Sequence, residues 1–119
     1  MNLRWLRGQS TENRARRRLE QAGLKTLARN YRCRLGEIDL IMKDGDCLVF
    51  VEVRFRGRNA RAGAKESVDL RKQSKLIATA LHYLQQHTER RHWPMRFDVM
   101  AVDEGAQPPL EWIKDAFRP

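Results

Sequence analysis

The stretch from Gly36 to Arg56, GEIDLIMKDGDCLVFVEVRFR, leaves the chain few ways to fold. Two apolar, alternating runs flank a polar turn at Lys43-Asp44-Gly45-Asp46. β-Branched and aromatic residues on either side of Asp-Gly predict a β-hairpin. Side chains alternate along a strand, so Ile38, Leu40 and Met42 share a face of the first arm, and Val49, Val51 and Val53 a face of the second. The other face carries Glu37, Asp39 and Ile41 opposite Phe50, Glu52 and Arg54.

Acids set in strongly apolar strands need a reason. A buried, unpaired carboxylate costs several kcal/mol or shifts its pKa to escape ionisation, so a basic partner or a metal ion is expected. With Asp44-Gly45 as the two turn residues, Glu37 lies opposite Glu52, and Asp39 opposite Phe50. Asp39 and Glu52 are then diagonal neighbours, roughly 7–8 Å apart and within reach of a shared ion. A one-residue slip would send them to opposite faces. The alternative role for Glu37, Asp39 and Glu52 is ion pairing with the many arginines.

The rest of the chain supplies an α/β frame. Residues 1–9 are expected as a flexible basic arm. A helix is predicted from Ser10 or Thr11 to about Ala22, with Ala15, Leu19 and Ala22 as its buried stripe and Gly23 as its stop. Residues 24–34 read as an edge strand, whose basic side chains would discourage edge-to-edge pairing. Gly57 to Ala64 reads as a loop. A second helix should run from an N-cap at Asp69 to about Gln86, with Leu70, Ile77, Leu81 and Leu84 marking the apolar stripe and Leu76, Ala80 and Tyr83 widening it. Lys72, Lys75, Thr79 and His82 fall on its polar face. Met95–Val102 reads as a strand parallel to the second hairpin arm, because a strand–helix–strand crossover is right-handed. An arginine partner, Arg96 or a neighbour, is expected for Asp98. Leu110 to Ile113 reads as a short last strand before a helical or irregular tail.

At 119 residues the chain is expected to form a single domain. No apolar run approaches the ~20 residues of a membrane helix, and the N-terminus lacks a signal-peptide core, so a cytoplasmic location without membrane contact is expected. Cys33 and Cys47 lack metal-ligand spacing and read as reduced apolar fillers. The net charge of +9 and pI near 10.4 favour a polyanionic partner, nucleic acid first. Arg14, Arg17 and Arg18 on the first helix, Arg56, Arg58 and Arg61 after the hairpin, and Lys75 are the candidate phosphate contacts. Arg is the better residue for bidentate phosphate binding. Oligomeric state stays open; the edge strand is the one feature through which a homodimer would form.

GEIDLI, the turn and VFVEVRFR resemble the YraN family of small bacterial proteins, and Glu12, Ala15, Leu19, Gly23, Asn30, Gly63, Lys72 and the run Arg96-Phe97-Asp98-Val99 fit it as well. That family is placed in the restriction-endonuclease-like PD-(D/E)xK superfamily, close to Holliday-junction resolvases. The resemblance implies an α-β-β-β-α-β core, a mixed central sheet flanked by helices. It implies a site in which Asp39, Glu52 and the Val53 carbonyl hold Mg²⁺ or Mn²⁺, Glu37 binds a second ion or a bridging water, and Glu12 approaches from the first helix. Such a site suits phosphodiester hydrolysis in branched or damaged DNA.

One position departs from the superfamily. Where its Glu-x-Lys motif has lysine, this chain has Arg54. A guanidinium keeps its proton near neutral pH and cannot act as a general base, though it can steady a phosphate electrostatically. Either Arg54 does only that, or Lys72 or Lys75 reaches in from the second helix, or the site no longer cleaves. The residues thus leave two readings open: a metal-dependent endonuclease, or a nucleic-acid-binding module that keeps the nuclease fold without cleavage.

Overall fold

The computed structural model describes residues 3–56, 68–103 and 109–119, with side chains in the first of these from Ser10 to Phe55. The loop expected at Gly57 to Ala64, with Arg58 and Arg61, lies outside the described residues, as does the Arg56 side chain. The elements are α1 (Leu3–Gln21), β1 (Lys25–Cys33), β2 (Gly36–Asp44), β3 (Cys47–Arg56), α2 (Leu70–Gln86), a 3₁₀ turn (Thr88–Arg90), β4 (Met95–Asp103) and β5 (Leu110–Phe117). The expected α-β-β-β-α-β succession is present, with β5 added.

The helix expected to begin at Ser10 or Thr11 starts instead at Leu3, so residues 3–9, expected in a flexible basic arm, are its first turns. At its other end the Leu24 N–H donates to the Leu19 carbonyl and the Gly23 N–H to Glu20. Gly23 takes φ +100 there. This is the Schellman stop, in which a glycine accepts the left-handed conformation and the last carbonyls are satisfied.

The five strands form one sheet in the order β1-β2-β3-β4-β5. β3 and β4 are parallel, joined through α2, and every other neighbouring pair is antiparallel. β5 continues to Phe117, so the tail expected after Ile113 is strand instead. Apolar side chains at Ile113 and Phe117 hold it to the core.

The hairpin forms with its frame moved by two residues. Asp44 pairs with Cys47, and Ile41 with Phe50, so Gly45 and Asp46 make the turn. Gly45 has φ +62. A glycine of positive φ at the first of two turn residues matches the right-handed strand twist. A shift of two keeps every side chain on its face but brings Asp39 from opposite Phe50 to the level of Glu52. The expected pairings Glu37 with Glu52 and Asp39 with Phe50 are therefore replaced.

The sheet buries both faces. Leu40, Met42, Val49, Val51 and Met100 pack with Ala15 and Leu19 of α1. Ile41, Leu48, Phe50, Phe97 and Val99 pack with Leu76, Ala80 and Tyr83 of α2. Asp69 caps α2 as expected, its carboxylate accepting from the Lys72 N–H at 2.8 Å. The buried stripe of α2 is Leu76, Thr79, Ala80 and Tyr83, whereas Leu70 is 78% and Leu81 49% exposed. Among the described residues no helix is long and apolar enough to cross a membrane. Cys33 and Cys47 are free thiols.

Candidate active site

Asp39 and Glu52 come together where β2 and β3 part. The ladder between these strands runs as far as Leu40 and Val51. One step further on, the Asp39 carboxylate takes the place of a backbone acceptor: its Oδ2 receives the Val53 N–H at 2.8 Å. The Glu52 carboxyl is its acidic neighbour across the two strands. Burial, and then the neighbouring Glu52, push the Asp39 carboxyl up to about 8, against the lowering pull of the Val53 N–H and Lys72. Two acids confined together cannot both ionise without cost, so one proton remains on the pair near neutral pH.

Glu52 is 5% exposed. Its partner is Lys72, whose Nζ lies 3.2 Å from Oε2. The ammonium neutralises charge without hydrogen-bond alignment, and Oε2 remains a buried acceptor that receives no hydrogen bond. The cap at Asp69 explains how Lys72 arrives: it fixes the first turn of α2, from which a long side chain spans to β3. Of Arg54, Lys72 and Lys75, the candidates for the missing superfamily lysine, Lys72 pairs with Glu52.

Glu12 enters from α1. It is buried, and the Asn30 amide donates to its Oε1 at 3.2 Å, with Arg29 Nε 3.8 Å away. Burial first, then the charge of Asp39, raise its carboxyl above the ordinary range, while Arg29 and Asn30 work the other way. The direct contacts of Glu12 are thus Asn30 and Arg29 of β1. Glu37 does not join the acids. It forms an ion pair with Arg32 at 3.3 Å, Arg32 exposed and Glu37 half-buried.

A cationic groove of about 440 Å³ adjoins the acids, lined by Arg54, Asp69, Arg71, Lys72 and Lys75. Arg54 and Lys75, both expected near the site, line it. Arg14, Arg17 and Arg18 line a separate shallow groove of about 300 Å³ with Gln21 and Leu110. There Arg17 donates to the Asn13 carbonyl and Arg18 lies over the Trp112 ring at 5.7 Å. The remaining expected acid, Asp98, is accounted for by Arg96, whose Nε is 3.0 Å from Oδ1.

The donors at the fork are of the type a hard divalent cation takes: the carboxylates of Asp39 and Glu52, one of whose oxygens, Glu52 Oε2, receives no hydrogen bond. Among the described residues no group of three or more His, Cys, Asp and Glu side chains is disposed around one point. A Mg²⁺-type ion needs only one or two carboxylates, with waters and phosphate oxygens completing its shell. Two contributors are not evident from sequence alone. Arg71 looks like an ordinary helix-surface residue. Asn30, which sits in β1 with φ +51, carries only the weak signal that asparagine tolerates left-handed backbone.

The model of the uncharacterised protein family UPF0102 matches residues 11–102. A UPF0102 protein of Stutzerimonas stutzeri (strain A1501) is 50% identical over 111 residues, 92% of each chain. One from Ectopseudomonas mendocina (strain ymp) is 48% identical over 110 residues, again 92% of each. One from Pseudomonas aeruginosa (strain UCBPP-PA14) is 48% identical over 114 residues, 93% of this chain and 91% of the relative. Matches of this extent show that the chain belongs to the UPF0102 (YraN) family.

Proposed function

We propose that this protein binds DNA along the groove beside α2 and hydrolyses its phosphodiester backbone at the Asp39–Glu52 fork with the help of Mg²⁺ or Mn²⁺. The observation that carries the reading is the carboxylate pair itself. Glu52 is buried, Asp39 beside it is half-buried, and one Glu52 oxygen receives no hydrogen bond; Lys72 offsets part of the charge, and a divalent cation would complete the pair.

Asp39, Glu52 and the Val53 carbonyl would hold the cation. When bound, it would supply charge neutralisation on the phosphate and a water acidic enough to attack at neutral pH. The protein's own groups do the rest. The Val53 N–H keeps Asp39 Oδ2 aimed into the fork. Arg54, Arg71 and Lys75 line the path of the backbone and meet phosphates. Lys72, 3.2 Å from Glu52, would steady the leaving oxygen. Arg54 remains a cation throughout.

A second reading, binding without cleavage, is favoured by one contact: Lys72 Nζ already occupies the charge environment of Glu52 Oε2. Incubation of the purified protein with branched, nicked and linear DNA plus Mg²⁺ or Mn²⁺ separates the two. The proposal expects metal-dependent cleavage that disappears in Asp39→Asn and Glu52→Gln. Cleavage that survives both substitutions overturns the site. Salt-dependent binding without any cleavage supports the second reading.

A further inference from the structure

Along a regular strand, residues two apart share a face. β1 and β2 break this rule at the same level. Ile38 packs in the core under α2, yet Leu40 packs under α1. On β1, Arg29 reaches Asn13 of α1 at 2.7 Å, while Tyr31 packs under α2. The pairings Arg29 with Leu40 and Tyr31 with Ile38 put Asn30 and Asp39 between them, facing each other across the ladder. Both strands therefore exchange faces at one rung, and that rung carries Asp39. The cause sits on β1: Asn30 adopts φ +51, a left-handed conformation rare for any residue but glycine, asparagine and aspartate. Non-glycine residues held this way cost stability and cluster at functional sites.

The turn of the backbone has two results. It releases Asp39 from the alternating pattern, so that its carboxylate reaches sideways to the Val53 N–H at 2.8 Å. It also points Arg29 and Asn30 together at α1, where both approach the Glu12 carboxylate. We propose that Asn30 is a positioning residue for the fork: its left-handed backbone turns Asp39 toward β3, and its side-chain amide anchors the Glu12 carboxylate of α1 at the same rung. The proposal rests on the metal-site reading above for its purpose, but its geometry is independent of it.

Two substitutions divide the two roles. Asn30→Gly keeps the left-handed backbone and removes only the amide. Asn30→Val resists that conformation and straightens β1. Two quantities are measured on the intact chain: Mn²⁺ affinity by calorimetry, and the hydrogen exchange of the Val53 amide relative to Val51. Asn30→Gly should weaken Mn²⁺ binding by about tenfold, the usual loss on removing a residue that orients a ligand, with an unchanged melting profile. Asn30→Val should weaken it further and raise Val53 exchange by about tenfold, as Asp39 leaves that amide. Wild-type Mn²⁺ affinity in both variants, with Val53 exchange unchanged, overturns the proposal. If the wild-type chain takes up no Mn²⁺, the metal-site reading falls, and Val53 exchange in Asn30→Val alone decides the positioning role.

Discussion

Two buried acidic centres lie on neighbouring strands and are built in opposite ways. Asp98 on β4 is fully buried and completely answered. Oδ1 accepts from Arg96 Nε and from the Asp115 N–H, both at 3.0 Å, and Oδ2 accepts from Trp112 Nε1 at 2.9 Å. Arg96 in turn bridges to Asp44 at 2.9 Å, tying the hairpin turn to β4. The fork has the reverse character. Two acids share one lysine, a buried oxygen receives no hydrogen bond, and one carboxyl is pushed up to about 8. Evolution of a stable fold explains Asp98 without further help. It leaves Asp39 beside Glu52 without an equally complete set of partners, which is what the proposed metal site would supply.

The contrast can be broken most strongly at β4. Asp98→Ala should lower the unfolding free energy by about 3–5 kcal/mol, because it strands the Trp112 and Asp115 donors and removes a partner of Arg96 in the interior. Chemical denaturation measures it; a loss below ~1 kcal/mol would mean the network is ornamental. At the fork the sign should invert. Asp39→Asn should raise stability at pH 8 in the absence of divalent metal by about 1–3 kcal/mol, since it removes an ionisation that the folded state resists. The pH dependence carries the same information. The Asp39 carboxyl lies higher in the folded chain than in the unfolded one, so the folded state holds the extra proton. Stability from this group is complete below about pH 4 and is lost as pH rises toward about 8. The raised Glu12 carboxyl acts in the same direction. In Asp39→Asn the slope over this window should flatten. The smallest effect belongs to Lys72→Met. Its side chain is 41% exposed, so the cost in stability should stay under ~1 kcal/mol. Its Mn²⁺ affinity should nevertheless rise, because the competing ammonium is gone. Unchanged affinity would show that Lys72 does not compete for the acids.

Much of this was legible in the sequence, for identifiable reasons. The hairpin, α2 with its Asp69 cap, and the parallel β4 follow from periodicity and crossover geometry. Asp39 and Glu52 stood out because carboxylates are unexpected in apolar strands, and the Arg96–Asp98 pair because the strand offered a ready partner. What was hidden is tertiary. The turn settled on Gly45-Asp46 because the frame that seats Ile41 against Phe50 beneath α2 outweighs the local Asp-Gly preference. Leu70 and Leu81 fit a helical stripe in sequence, but the sheet meets α2 along Leu76, Ala80 and Tyr83, leaving both leucines outside. Asn30 fits the family resemblance, but its role is not legible, since it lies in a backbone angle and in a contact with a residue distant in sequence.

The central claim is that the Asp39–Glu52 pair is incomplete without a divalent cation. Isothermal calorimetry of Mn²⁺ binding at pH 7, run in two buffers of different ionisation enthalpy, tests it directly. The account predicts one Mn²⁺ per chain, with release of about one proton as the pair gives up the proton it shares, and loss of both signals in Asp39→Asn. No binding, or binding and proton release that persist in Asp39→Asn, would contradict it.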